Sequence, residues 1–156
     1  MASPENYMEW DLSQISRALK LTESDVIEYF TDGRRVSFIC ERKIRDQVGG
    51  KLAKTEGAGY DLLQDQKKWE VRSITKGGTY FSPSFQVGSG RKFDEEGFLK
   101  KLDEIEGYIL CDILKFPKIP YWRITSETVR SWYDNNQIGV SASTSRKKIL
   151  SLINNL

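Results

Sequence analysis

Residues 59–74 read Gly-Tyr-Asp-Leu-Leu-Gln-Asp-Gln-Lys-Lys-Trp-Glu-Val-Arg-Ser-Ile, and this stretch decides the fold. A short strand is predicted near Tyr60–Leu63, a polar turn over Gln64–Lys68, and a second strand from Trp69 to Ile74. Side chains alternate across a strand, so Trp69, Val71 and Ser73 share one side while Glu70, Arg72 and Ile74 share the other. Asp61 opens the first strand and Glu70 lies in the middle of the second. Directly opposed residues of an antiparallel pair have Cβ atoms ~4.5–5.5 Å apart. Two carboxylates that close repel unless a proton or a cation lies between them. Mg²⁺ is the natural cation, being a hard ion that takes oxygen ligands and keeps waters for chemistry. Arg72 projects from the same side as Glu70 and is placed to contact a phosphate.

Working outward, residues 11–31 carry apolar residues at helical spacing: Leu12, Ile15, Leu19, then Val26, Ile27 and Phe30. Thr22, three residues before Asp25, marks a second helix start. Residues 36–48 add a stripe through Phe38, Ile39, Ile44 and Val48, ended by Gly49-Gly50. Downstream, residues 79–87 are expected as a third strand, with Pro83 placing it at an edge or bulge. Residues 94–106 form an amphipathic helix through Phe98, Leu99, Leu102 and Ile105, and Gly107–Phe116 reads as a buried strand. Tyr121–Ile124 is a further strand, Ser126 a helix N-cap, and the C-terminal segment a short last helix. From residue 36 the order is α-β-β-β-α-β. Two regions follow, an N-terminal helical segment over 1–35 and a core with its C-terminal extension over 36–156, together one compact unit.

The Asp-x8-Glu-x-Arg pattern, set between two strands and after a helix, resembles the PD-(D/E)XK nuclease superfamily, which includes many restriction endonucleases. The resemblance covers roughly residues 36–115 and rests on the element order plus the hairpin motif. It implies an α/β fold with a restriction endonuclease-like α-β-β-β-α-β core, a mixed central sheet flanked by helices. It also implies that Asp61 and Glu70 bind Mg²⁺, with Mn²⁺ as a substitute, and that Glu41 is the matching glutamate of the preceding helix. Two positions depart from the family pattern. Tyr60 stands where a proline is usual, and Arg72 stands in place of the lysine. Arginine keeps the charge but is bulkier, holds its proton and donates through a planar fork. Lys68 and Lys76 share Glu70's strand parity and are the sequence's candidates for a displaced ammonium.

Composition narrows the chemistry independently. The chain has 156 residues and no histidine. That excludes Ser-His-Asp and Cys-His catalysis and the histidine-based zinc sites. Cys40 and Cys111 are too few and too far apart in sequence for a four-cysteine zinc site, and suit a reducing compartment. Carboxylates, Lys/Arg, hydroxyls and an oxygen-ligated metal remain. No apolar run of membrane-spanning length and no leader-like opening is present, so a cytoplasmic protein without membrane partners is expected. The net charge of +2 leaves the question of partners to the distribution of charge.

Three segments are expected to meet DNA. The loop over 87–92 carries two glycines with Arg91 and Lys92, and resembles no Walker loop. Arg146, Lys147 and Lys148 open the last helix behind a run of hydroxyls, a phosphate clamp in type. Residues 15–26 resemble a helix-turn-helix. Glu23, Asp25 and Glu28 on the second helix would oppose phosphates, so the pair reads as a packing or dimerisation element, with Arg34 and Arg35 beyond it reaching a backbone. The expected protein is a Mg²⁺-dependent endodeoxyribonuclease, of the type II restriction class, acting on double-stranded DNA as a homodimer. The alternative is a non-catalytic DNA-binding protein, either a degenerate nuclease fold or a helix-turn-helix regulator.

Overall fold

The computed structural model describes residues 2–55, 58–83, 86, 90 and 92–156. It is a mixed α/β protein. A six-stranded sheet has the order β1-β7-β6-β4-β3-β2, formed by β1 (Asn6–Glu9), β2 (Lys51–Leu52), β3 (Leu62–Gln64), β4 (Lys67–Ile74), β6 (Gly107–Asp112) and β7 (Lys118–Thr125). Only β4 and β6 run parallel, and all other neighbours in that sheet are antiparallel. The helices are α1 (Leu12–Leu19), α2 (Glu23–Phe30), α3 (Gly33–Val48), α4 (Glu95–Glu104), α5 (Ser126–Asp134) and α6 (Arg146–Asn154). Among the described residues no helix is long and apolar enough to cross a membrane.

Local chemistry accounts for most boundaries. Thr22 accepts from the Asp25 N–H and starts α2, as its position predicts. Asp94 caps α4 through the Gly97 N–H, and Ser145 caps α6 through the Lys148 N–H. Gly49, at φ 78°, closes α3 in the left-handed conformation that glycine adopts without penalty. The hairpin joining β3 to β4 turns on Asp65 and Gln66, both at positive φ, between the paired Gln64 and Lys67.

The period-two alternation puts a hydrophobic cluster on each face of the sheet. Trp69, Val71, Ile109 and Cys111 pack with Val26, Phe30, Val36, Cys40 and Ile44 of α2 and α3. Ile74, Tyr108, Leu110 and Ile124 pack on the other face with Phe98, Leu102, Val129 and Ile149 of α4, α5 and α6. Residues 1–35 add β1 to the main sheet and bury Met8, Val26 and Phe30 in the first cluster.

Several expectations differ from the structure. The strand expected over Gly107–Phe116 ends at Asp112, and a 3-10 turn over Ile113–Lys115 follows it. The strand expected over 79–87 is only β5 (Thr79–Tyr80) among the described residues, and it pairs with β8 (Ser143–Thr144) in a separate ribbon. Both edges of β4 are already taken by β3 and β6, so a strand following it finds no place in the main sheet. The α-β-β-β-α-β order is not met along the chain, which runs α3-β2-β3-β4-β5-α4-β6; it holds for the main sheet alone, where β2 stands and β5 does not. Ser126 is not the cap of α5: Thr125 accepts from the Thr128 N–H, and the Ser126 hydroxyl donates to the Ile105 carbonyl. Finally, α3 buries Val36, Cys40 and Ile44 and leaves Phe38 59% exposed, so Phe38 does not belong to the core stripe.

Candidate active site

The paired register of the hairpin ends at Leu62 and Trp69, and Asp61, just before β3, is held to the β4 backbone on either side of Glu70. The Asp61 N–H donates to the Trp69 carbonyl at 2.9 Å, and the Val71 N–H donates to Asp61 Oδ2 at 2.8 Å. The Asp61 carboxylate is thereby anchored to the backbone of β4. Glu70, only 6% exposed, is flanked by two cations. Arg72 Nη1 lies 3.1 Å from Glu70 Oε2, and Lys101 Nζ pairs with Glu70 Oε1. Lys101 also donates to the Gly59 carbonyl, immediately upstream of the hairpin motif. Arg72 Nη2 donates to the Ser82 carbonyl at 3.4 Å, and its guanidinium lies 4.9 Å from the Tyr80 ring centroid.

Charge in this corner is incompletely compensated. Burial, and then the neighbouring Glu70 carboxylate, push Asp61 up to about 7, against the opposing pull of the Val71 N–H and Arg72; Glu41 adds to the rise. Glu41 is also raised, by burial first and by Glu70 in addition, against the pull of Arg42 and Arg72. Burial is the first cause of both shifts, and a cation brought to these carboxylates would oppose it. Among the described residues no three His, Cys, Asp or Glu side chains converge into a ready-made metal cage. Mg²⁺ does not require one: it is held by one or two carboxylates with its remaining positions left to water and substrate phosphate. Asp61 and Glu41, both at the cleft, are hard-oxygen donors of the type this ion takes, whereas both Glu70 oxygens are already ion-paired.

A cleft of about 1040 Å³ opens over this corner. Glu41, Asp61 and Arg72 line it, while Glu70 and Lys101 are buried next to them. Around the same cleft stand the cations Arg34, Arg42, Lys54 and Lys76 and the aromatic rings of Phe38, Tyr60 and Tyr80. Carboxylates in the depth and cations around them suit a polyanion whose backbone is gripped at the sides and approached by a metal at one point.

The remaining sequence candidates are scattered. Arg34 lines the cleft with its side chain 90% exposed and one contact to Asp32, whereas Arg35 divides between Asp32 and the face of Tyr29. Arg146 forms a two-pronged ion pair with buried Asp112, at 2.6 and 2.8 Å, and so ties α6 to the end of β6. Its guanidinium is committed to the fold, which removes it from the expected phosphate clamp. Lys147 is exposed, and Lys148 donates to the Gln137 side chain. Most of the 87–92 loop, including Arg91, lies outside the described residues, and Lys92 is exposed.

The residue that sequence reasoning missed is Lys101. Lys68 lies over the Tyr60 ring and Lys76 lines the cleft, but the ammonium on Glu70 comes from α4. A signal was present: Phe98, Lys101, Leu102 and Ile105 follow the i, i+3, i+4, i+7 stripe of a buried helix face. A lysine inside such a stripe needs an anion beneath it. No family model, curated protein or solved structure matches this chain.

Proposed function

We propose that this protein is a Mg²⁺-dependent endodeoxyribonuclease with a restriction endonuclease-like core, hydrolysing phosphodiester bonds of DNA held in the cleft. The observation that carries the reading is the Asp61 carboxylate, anchored to the β4 backbone and within reach of the Glu70 and Glu41 charges, at a cation-lined cleft. Apart from β5, which lies outside the main sheet, the succession α3-β2-β3-β4-α4-β6 supports the finer fold assignment, with a parallel β4–β6 pair joined through α4.

Asp61 and Glu70 would hold the ion, Glu70 by giving up one of its two cations, with Glu41 supporting them from α3. When bound, Mg²⁺ supplies a Lewis acid and lowers the pKa of water. Arg72, at the cleft wall, donates to the scissile phosphate and offsets the charge that builds during attack. Lys101 acts through Glu70 and orients its carboxylate from the side away from the cleft. Arg34, Lys54 and Lys76 bind flanking phosphates. A homodimer acting on both strands of duplex DNA belongs to the same reading. Leu19, Leu21 and Ile27, at 56%, 48% and 39% exposed on the α1–α2 pair, offer an apolar surface for it.

Incubation of supercoiled plasmid with Mg²⁺ or Mn²⁺ tests the reading. The wild type is expected to nick it, and Asp61→Ala to bind without nicking. A wild type that shifts the plasmid and leaves it intact would instead make this a DNA-binding protein. The two cations already occupying both Glu70 oxygens favour that second reading.

A further inference from the structure

We propose that Phe38 and Arg42 form a stacking platform for an unpaired nucleobase at the mouth of the cleft, one helical turn from Glu41. This rests on the cleft being a nucleic-acid site, and does not require that the site cut. A single exposed apolar side chain needs no special explanation in itself. Phe38 has three further features. It lies off the face that α3 buries through Val36, Cys40 and Ile44, so the core makes no demand for an aromatic ring there. It lines the same cleft as Asp61 and Glu41 while remaining 59% exposed. Its ring is covered by a held cation: the Arg42 guanidinium lies 3.3 Å from the ring centroid, and its Nη1 donates to the Phe38 carbonyl at 3.1 Å.

An aromatic ring with an arginine plane laid on it offers two flat surfaces of the kind on which unstacked bases rest. The hydrogen bond to the Phe38 carbonyl orders the guanidinium before any ligand arrives, which lowers the entropy lost on binding. The surroundings select the ligand class. Arg34, Lys54 and Lys76 line the same cleft and favour a phosphate backbone over an uncharged apolar partner. A base fully stacked within a duplex has no free face to offer, so the platform takes a base from a single strand or one displaced from a duplex.

Binding is measured in EDTA by fluorescence anisotropy, with labelled oligothymidylate and an abasic oligomer carrying the same phosphates. A fully paired duplex and a duplex with one mismatch distinguish the two sources of the base. Wild type is expected to prefer oligothymidylate to the abasic strand by roughly 5- to 150-fold, the range of a base–aromatic stack. Phe38→Ala, and the milder Phe38→Leu that keeps apolar bulk, are expected to lose that preference while retaining the abasic-strand affinity. Preference for the mismatched over the paired duplex would assign the displaced base as a ligand too. Equal wild-type affinity for base-bearing and abasic strands overturns the platform, as does an equal loss on both strands in Phe38→Ala. Plasmid nicking with no base preference defeats the platform and leaves the nuclease reading standing. Base preference without nicking does the reverse.

Discussion

Lys101 Nζ on α4 is ion-paired with Glu70 Oε1 on β4, and both side chains are almost wholly buried. The crossover from β4 to its parallel neighbour β6 runs through α4, which carries Lys101, so the pair is a product of topology as much as of charge. Removing one partner of a buried ion pair leaves the other charge unpaired in a poor solvent. Lys101→Met is expected to cost about 3 kcal/mol in urea unfolding. The double variant with Glu70→Gln should cost clearly less than the two single changes added together. Additive losses would show that the pair is not energetically coupled.

Arg72 and Lys101 hold the two oxygens of Glu70, but only Arg72 lines the cleft. Arg72→Ala is expected to lower the plasmid-nicking rate by about 10²–10³, as for loss of one charge-stabilising donor. Arg72→Lys restores a cation and should retain a larger share of the activity. Lys101→Arg must fit a larger, planar group between Glu70 and the Gly59 carbonyl, and should fall below Arg72→Lys. The reverse order would move the working cation from β4 to α4.

Stability should carry the signature of Asp61. Its carboxyl in the folded protein titrates at about 7, above the ordinary aspartate value. Between the two values the unfolded chain has released this proton and the folded chain retains it. The contribution to stability is therefore fully present below the unfolded value and is lost as pH rises through about 7. Glu41 is shifted in the same direction. In EDTA, the Tm of the wild type should fall over this interval, and Asp61→Asn should flatten the fall and be the more stable protein at pH 8. Mg²⁺ should raise the wild-type Tm at that pH and leave Asp61→Asn nearly unchanged. A wild-type Tm indifferent to both pH and Mg²⁺ would contradict the charge imbalance.

Gly107 begins β6 where a side chain has no room. A Cβ there would lie 2.1 Å from the Ile124 carbonyl oxygen and 2.8 Å from the Thr125 Cα. Gly107→Ala is expected to destabilise the protein by about 3 kcal/mol, because backbone of β7 must move to admit the methyl. Urea unfolding reads the change. The damage should reach the site indirectly, since β6 supports β4 along the whole Trp69–Ile74 register.

What the sequence determined by itself lies close along the chain. Thr22, Asp94 and Ser145 start their helices through hydrogen bonds to residues three positions on, and such bonds need no distant partner. The Asp65-Gln66 turn likewise set the pairing of Leu62 with Trp69 and left Asp61 bonded to the β4 backbone, because a two-residue turn sets register locally. Tertiary structure decided the partners. The bond from Lys101 to Gly59 spans 42 residues, and that from Arg146 to Asp112 spans 34. From sequence, Arg146 resembled a free phosphate ligand and Lys101 one more lysine of an amphipathic helix. The strand β1, with Met8 as its one buried residue, exists only because β7 offers an edge, and β5 was excluded from the main sheet because β4 had none left. The same holds for Phe38: helical periodicity allowed it a place in the core, but α3 buries the face of Val36, Cys40 and Ile44 and leaves Phe38 at the cleft. Charge pairing and burial depend on which surfaces the crossovers bring together, and that information is spread over the whole chain.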